Sequence, residues 1–229
     1  MIISKEKGGF VYKSFDENGM DNGNMVAIQN RLKQLITPET TYVDLGAHIG
    51  TMSIPVIAAT KPKKAILVEA NPNVIAVLQE NCQVNLSGQD FVVVNKAVCD
   101  KDEMIDFHVC EKADSSSMAR EDLMKIPPTK VQGVTLDTLL ADIDEPIVMK
   151  VDIEVAELLM WKGMNICRSK IKHMVMEWFP NAMPLGWAAE LLQRIHESNY
   201  HIMLHSGEVL SDSTIMVFGK EDLWLRSNT

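Results

Sequence analysis

From residue 41 onward, short apolar runs alternate with amphipathic stretches. This order is typical of a parallel sheet whose strands are connected by helices, so it predicts an α/β fold. The apolar runs predict strands at 41–45, 65–68, 91–94, 104–109, 147–152, 172–177, 201–204 and 214–218. The amphipathic stretches predict helices at 24–36, from the first turn to about 59, and at 73–85, 155–164 and 185–198. We expect the last two strands, with a turn at Ser206 and Gly207, to form an antiparallel pair.

Local patterns refine three of these segments. Asn71 is the expected N-cap of the helix at 73–85, with Pro72 in its first turn. Apolar and polar residues alternate in 104–109, so we expect Phe107 to point inward and His108 outward. Residues 111–130 carry three serines and two prolines. They predict a long loop, which is either a solvated insert or a lid over an acceptor.

Composition and charge exclude several classes of protein. The 229 residues, 46% hydrophobic and 23% charged, are enough for one substantial core. The net charge of −9 disfavours nucleic acid and anionic lipid as partners. The longest uncharged run, 45–60, is shorter than the roughly 18 apolar residues of a membrane span. No secretory signal precedes Lys5, so the expected location is cytoplasmic.

The segment VDLGAHIGT at 43–51 combines a buried strand, a glycine turn and the start of a helix. Gly46 allows a sharp turn and a close approach to a ligand, and the free amides of the following helix suit an anionic group. A dinucleotide fingerprint has glycines at positions one, three and six, whereas this turn has Gly46, His48 and Thr51 there. No Gly-Lys-Ser or Gly-Lys-Thr follows, so a phosphate-binding loop is excluded as well.

The turn resembles the Asp-x-Gly-x-x-x-Gly pattern of class I methyltransferases, with Asp44, Gly46 and Gly50 in the defined positions. These enzymes bind S-adenosylmethionine. The next strand ends in LVEANP at 67–72, which places Glu69 where a carboxylate can accept both hydroxyls of a ribose. The sequence therefore predicts that Gly46 and Glu69 face one cavity.

Three further segments make the resemblance more specific: NKAVCDKDEMIDFHV at 95–109, VTLDTLL at 134–140 and MKVDIEVAE at 149–157. Together with DLGAHIG and VEANP they resemble the FkbM family of S-adenosylmethionine-dependent methyltransferases, over about 42–179. The resemblance implies a Rossmann-like class I methyltransferase fold, with a mostly parallel seven-stranded sheet and helices on both faces. From the alternating pattern we assign residues 41–229 to one methyltransferase domain, after an N-terminal helical extension at 1–40. For most members the resemblance implies O-methylation of a hydroxyl on a sugar or small natural product.

One residue departs from the family pattern. Val155 stands where the family usually has glycine, in Asp-Ile-Glu-Gly-Ala-Glu. A β-branched residue costs little at a helix start, so we expect a change in acceptor fit or activity rather than in fold.

Candidate catalytic groups lie where ligands bind in open α/β sheets, outside the carboxyl ends of the strands. An acceptor alcohol has to lose its proton during attack, which calls for a carboxylate or histidine within hydrogen-bond reach. Asp152 and Glu177 end two strands, and Glu154 shares a face with Asp152 while the chain is extended. We predict that Asp152 acts as base or orients the acceptor, with Glu154 assisting and Glu177 as a further catalytic candidate. Alternatively, Glu154 only favours the positive end of the following helix dipole.

The predicted cofactor contacts follow the same turns. The methionine part is assigned to the first turn, the ribose to Glu69 and the adenine edge to 95–97; His48 lines the site or acts as a base. The full set of predicted cofactor-binding residues is Asp44, Gly46, Ala47, His48, Gly50, Thr51, Glu69, Ala70, Asn71, Asn95, Lys96, Ala97 and Asp152.

Further alternatives concern the metal, the acceptor and the function. Magnesium is one hypothesis, because Asp152 and Glu177 offer oxygen ligands. The expected acceptor is a small molecule or carbohydrate. The alternative functions are an NAD-dependent oxidoreductase and a non-catalytic S-adenosylmethionine-binding module, the latter permitted by Val155.

Overall fold

The computed structural model describes residues 3–14, 25–110, 116–120, 124–204, 209–210 and 221–228. The predicted strand at 214–218 and the turn at Ser206 and Gly207 lie outside these residues. So do parts of the predicted loop, 111–115 and 121–123.

The described residues form twelve strands and six α-helices. The strands are β1 (Ile3–Lys7), β2 (Phe10–Ser14), β3 (Thr41–Leu45), β4 (Lys64–Val68), β5 (Phe91–Val94), β6 (Ala97–Val98), β7 (Met104–Phe107), β8 (Thr129–Val134), β9 (Ile147–Val151), β10 (Ile171–Trp178), β11 (Tyr200–Met203) and β12 (Glu221–Ser227). The helices are α1 (Met25–Leu35), α2 (Ser53–Thr60), α3 (Ile75–Asn85), α4 (Leu136–Leu139), α5 (Glu157–Lys162) and α6 (Trp187–Glu197).

Within the described residues, seven strands form the central sheet in the order β11-β12-β10-β9-β3-β4-β5. The pairings from β10 to β5 are parallel, whereas β12 runs antiparallel to β10 and β11. The predicted mostly parallel seven-stranded sheet is confirmed, and it is mixed because of β12. A smaller sheet, β6-β8-β7, lies beside it.

Both faces of the central sheet are covered, which explains why its middle strands are continuous apolar runs. All residues of β3 and β9 are buried. Successive residues of β3 belong to different cores: Tyr42 packs with Leu32 of α1 and Ile54 of α2, and Val43 packs in the cluster that contains Leu158 of α5. The helices therefore lie on both faces, as predicted. Among the described residues, no helix has the length and apolar character needed to cross a bilayer.

The N-terminal region contains a β-hairpin, β1–β2, that the helical interpretation of 1–40 missed. Its turn is Gly8-Gly9, both with positive φ, and Tyr12 is buried. Asn81 and Asn85 of α3 accept hydrogen bonds from the backbone N–H groups of Lys13 and Val11. Strand β1 carries three charged residues, and the apolar run of β2 is only three residues long, 10–12, so the pattern that marked the central strands is weak here.

Two local predictions need correction, and one strand of the central sheet was not predicted. Helix α3 begins at Ile75, because Asn71 Oδ1 accepts from the N–H of Asn73, 3.0 Å away, in a turn before the helix. His108 does not point outward: it is 6% exposed, and its Nδ1 lies 2.7 Å from the Ile126 carbonyl oxygen. Strand β12 was not predicted, although it is the antiparallel partner of both β10 and β11.

Candidate functional site

A cleft of about 480 Å³, its open mouth included, lies at the carboxyl ends of β3, β4 and β9. Its lining residues are Gly46, His48, Val68, Glu69, Ala70, Lys96, Ala97, Val98, Phe107, Ser116, Met118, Asp152, Ile153 and Glu154. The cleft lies where open α/β sheets bind ligands, outside the carboxyl ends of the strands. Gly46 and Glu69 share this cleft, as the sequence predicted.

The turn after β3 passes so close to the end of β9 that only glycine fits at position 46. Gly46 has φ +81°, and a Cβ there would lie 1.8 Å from the Asp152 carbonyl oxygen. The amides of Gly46 and Ala47 both donate to the Val68 carbonyl oxygen, at 2.9 and 3.0 Å. The turn is thus fixed to both neighbouring strands, and it brings main-chain atoms to the cleft wall.

Glu69 is held toward the cleft by backbone amides. Its Oε2 accepts from the N–H of His48 and its Oε1 from the N–H of Asn71, each at 2.8 Å. Burial raises the pKa of Glu69, and these two amides oppose that rise. Each carboxylate oxygen keeps a further lone pair, so the pair of oxygens can still accept two hydrogen bonds from adjacent hydroxyls.

A buried ion pair on the neighbouring strands β3 and β9 stabilises the turn. Asp44 on β3 is opposite Lys150 on β9 in the sheet register, with Oδ1 and Nζ 3.3 Å apart. The Lys150 ammonium also donates to the Gly46 carbonyl oxygen at 3.1 Å and lies 3.5 Å from Asp152 Oδ2. Burial lowers the pKa of Lys150, but the carboxylates of Asp44 and Asp152 more than offset this and raise it. Ser53 Oγ donates to Asp44 Oδ2.

Three carboxylates meet where β9 and β10 end. One oxygen from each of Asp152, Glu154 and Glu177 lies within 4.8 Å of the others. Asp152 and Glu154 both line the cleft, and the Asp152 side chain is 39% exposed. The alternation expected of an extended chain is not observed, because Ile153 lines the cleft too and Glu154 has φ +52°. Arg120 Nη1 donates to Glu154 Oε2 at 2.9 Å. Together with Lys150 beside Asp152, this gives two of the three carboxylates a cation from the chain itself.

The expectation that Val155 costs little at a helix start was wrong, whereas its expected effect on acceptor fit or activity stays a prediction. Helix α5 begins at Glu157, and before it Glu154 has φ +52° and Val155 has φ +78°. A non-glycine residue in such a conformation costs on the order of 1–3 kcal/mol, so valine is not cheap here. The side chain is 2% exposed and packs in the main core cluster, which offsets part of that cost. The loop that carries Asp152 and Glu154 is therefore locally strained.

Several predicted cofactor residues lie behind the cleft rather than on its surface. Asn95 Nδ2 donates to the carbonyl oxygens of Glu69 and Ala70, at 2.8 and 3.2 Å. Gly50 has φ +90° and packs against Ile54. The predicted residues that do not line the cleft are Asp44, Ala47, Gly50, Thr51, Asn71 and Asn95. They build the turns, and their role toward a cofactor stays a prediction.

Sequence reasoning missed other residues of the site. Phe107, Ser116 and Met118 line the cleft from β7 and the segment after it. Ser117 Oγ donates to the Glu154 carbonyl oxygen, which connects this segment to the strained loop. Of the site residues that were missed, Lys150 could have been found from the sequence, because a lysine inside the apolar run IVMKV of a buried strand needs a charged partner.

A comparison with protein families finds that the model of the methyltransferase FkbM domain matches residues 44–203. This range contains the glycine turn, Glu69 and the three clustered carboxylates. A comparison with curated proteins finds no significant match.

Solved structures with the same fold include several methyltransferases. TYW2 of Pyrococcus horikoshii, in complex with MeSAdo, is 15% identical with a TM-score of 0.51, over 98% of this chain and 69% of that one. Precorrin-6y C5,15-methyltransferase of Geobacter metallireducens is 9% identical with a TM-score of 0.51, over 93% of both chains. The M. jannaschii tRNA m1G37 methyltransferase is 12% identical with a TM-score of 0.52, over 100% of this chain and 57% of that one. At these identities the likeness establishes the fold.

Proposed function

We propose that this chain, which belongs to the FkbM methyltransferase family, binds S-adenosylmethionine in the cleft and methylates a hydroxyl of a sugar or small natural product. The observation that carries the proposal is that the Gly46 turn, the Glu69 carboxylate and Asp152 line one cleft. The family match disfavours the NAD-dependent oxidoreductase, as does the glycine spacing of the turn.

The residues of the cleft suit the three parts of this cofactor. The turn at Gly46 and His48 offers main-chain atoms to the methionine part, and Glu69 offers two acceptor oxygens to the ribose hydroxyls. Ala97, Phe107 and Met118 form an apolar wall beside Glu69 and Lys96, which suits the faces of an adenine. The predicted assignment of 95–97 to the adenine edge is therefore kept for Lys96 and Ala97.

The cofactor, when bound, supplies a methyl group on a positively charged sulfur, which leaves as a neutral thioether as the acceptor oxygen bonds to the methyl carbon. Asp152 has the position to take the proton of the acceptor hydroxyl, because it lies in the cleft with a partly exposed carboxylate. The Lys150 ammonium lies 3.5 Å from that carboxylate, and Glu154 adds a second carboxylate to the same part of the cleft. The protein mainly has to align the reactants, which is worth effective molarities of about 10⁵–10⁸ M.

Magnesium is not part of this proposal. Lys150 and Arg120 already lie against two of the three clustered carboxylates, and the comparisons with known proteins give no support for a metal.

The charge of the site favours an acceptor without phosphates. Asp152 and Glu154 line the cleft beside Glu69, and the whole chain carries a net charge of −9. A nucleic acid would be repelled by both. Although tRNA methyltransferases are among the proteins that share the fold, we propose a neutral hydroxyl compound as the acceptor.

The replacement Glu69→Gln is expected to weaken S-adenosylmethionine binding by about 1.5–3 kcal/mol, the contribution of a hydrogen bond to a charged group. Glutamine has nearly the same shape but offers only one acceptor oxygen. Calorimetric titration measures the change, with Glu103→Gln as control because that carboxylate is 60% exposed and pairs only with Lys101 in the ion pairs described. Equal affinity of wild type and Glu69→Gln would remove Glu69 from the site.

Transfer of a radiolabelled methyl group tests the acceptor class. Wild type is expected to label neutral sugars or polyhydroxylated natural products in a panel, and not tRNA. Asp152→Asn is expected to lower turnover by about 10²–10⁴-fold, the usual contribution of a general base, with a much smaller change in cofactor affinity. Labelling of tRNA alone would overturn the acceptor proposal, equal loss of binding and turnover would contradict the base role, and cofactor binding without any labelling would favour the non-catalytic module.

A further inference from the structure

Glu157, the first residue of α5, is a buried carboxyl group that the proposed chemistry does not use. A glutamate in the first turn of a helix usually stays in water, where it interacts with the helix dipole. Glu157 is instead 1% exposed. A carboxylate this buried is costly unless it is paired or protonated.

The contacts of Glu157 place it directly behind the cleft wall. Its Oε1 accepts from the N–H of Ile153 at 3.4 Å, and Ile153 itself lines the cleft between Asp152 and Glu154. Its Oε2 has no hydrogen-bond partner among the described residues. One backbone segment thus separates this carboxyl group from the space that we assign to the methionine part and sulfur of the cofactor.

The charges around Glu157 oppose its ionisation. Burial is the largest cause, and the carboxylates of Glu177 on β10 and Asp152 after β9 add to it, so that the pKa rises to about 8. Two other charged groups lie near Asp152 and Glu177. One is Glu154, which forms an ion pair with Arg120 at 2.9 Å, and the other is Lys150, which lies between Asp44 and Asp152. Burial and the carboxylates of Glu177 and Asp152 therefore favour the protonated form of Glu157 when no cation is bound beside them.

We propose that Glu157 couples the binding of S-adenosylmethionine to the release of a proton, and so distinguishes the cofactor, whose sulfur is positively charged, from its product, whose sulfur is neutral. This coupling rests on the proposed function and extends it. A positive charge bound next to Asp152 stabilises the ionised form of Glu157, and its proton leaves to solvent. The thioether product, S-adenosylhomocysteine, has lost that positive charge and gives no such stabilisation.

Linkage fixes the direction of the pH dependence. Cofactor binding lowers the pKa of Glu157 from its value in the cofactor-free protein, so a proton is released between the two values. In that window affinity for S-adenosylmethionine rises with pH, by at most about tenfold per pH unit for one proton, and it levels off above about 8. Affinity for the product lacks this rise. A proton on Glu157 thus marks the product-bound and cofactor-free states, and its loss marks the cofactor-bound state.

Calorimetry in two buffers with different ionisation enthalpies, phosphate and Tris at pH 7.5, counts the protons released on binding. Wild type is expected to release on the order of half a proton or more with S-adenosylmethionine, and less with S-adenosylhomocysteine. Sinefungin, which has an amine in place of the sulfonium, is expected to behave like the charged cofactor. These three titrations need no variant.

The variant Glu157→Gln is expected to release the same number of protons with the cofactor as with the product, while Glu103→Gln behaves like wild type. Equal proton release for cofactor and product in wild type would overturn the inference and leave the proposed function intact. An unchanged difference in a folded Glu157→Gln protein would do the same. Absence of binding by all three ligands would overturn the proposed function together with the inference.

Discussion

Replacing Lys150 with methionine is expected to lower the free energy of unfolding by about 3–5 kcal/mol, the cost of leaving one partner of a buried ion pair behind. Asp44 is fully buried, and its described partners are Lys150 and Ser53. Methionine fills a similar volume but supplies no charge. Such a loss is a large fraction of the roughly 5–15 kcal/mol that a domain usually has.

Urea denaturation of three further variants separates this effect from a general cost of losing a lysine. Lys130→Met is the matched control, because Lys130 pairs with Asp106 at the surface, with side chains 63% and 53% exposed; about 0–1 kcal/mol is expected. Asp44→Asn is expected to be costly alone but to recover most of the loss when it is combined with Lys150→Met. Equal, small losses for the two lysine variants would show that the buried pair does not stabilise the turn.

The replacement Gly46→Ala is expected to lower the affinity for S-adenosylmethionine by about 100-fold or more. The added Cβ would lie 1.8 Å from the Asp152 carbonyl oxygen. Either the turn or the backbone of Asp152 therefore has to move by about an ångström or more. Displacements of about 1 Å cost on the order of 10²-fold in rate where reacting groups are tightly aligned, and we expect a comparable loss of affinity where the turn contacts the cofactor. The positive φ of +81° adds a conformational penalty.

Gly186→Ala is the matched control for this variant. Gly186 has φ +85°, but a Cβ there would meet nothing within 4 Å. Both variants carry the conformational penalty, and only Gly46→Ala carries the clash. Calorimetric titration is expected to give wild-type affinity for Gly186→Ala and a severe loss for Gly46→Ala. Similar affinities would mean that the turn does not contact the cofactor.

The central strands could be predicted because burial on both faces leaves a simple signature. The sequence placed β3 and β5 at their observed bounds, 41–45 and 91–94. Elements that depend on tertiary partners gave no such signature. The hairpin β1–β2 is held by Asn81 and Asn85 of α3, and β12 is a strand because it pairs with β10 and β11. Neither relation can be read from local periodicity.

The candidate site, like the fold, could be predicted only in part. The turns after β3 and β4 each contain a recognisable motif in consecutive residues, so it was predictable that Gly46 and Glu69 face one cleft. Lys150 pairs with Asp44 on the neighbouring strand β3, and Arg120 pairs with Glu154, which is distant in the chain. Only the folded structure brings the members of each pair together. The positive φ of Val155 was missed because the valine was interpreted as a residue at a helix start, although the glycine that is usual at this position in the family is the residue that favours a left-handed conformation.

A crystal structure with bound S-adenosylhomocysteine would show whether the cleft holds the cofactor. We expect electron density in the cleft, with the ribose hydroxyls within hydrogen-bond distance of the Glu69 carboxylate and the adenine against Phe107 and Met118. Clear density for the ligand at any other place, or an empty cleft at saturating ligand, would contradict this expectation.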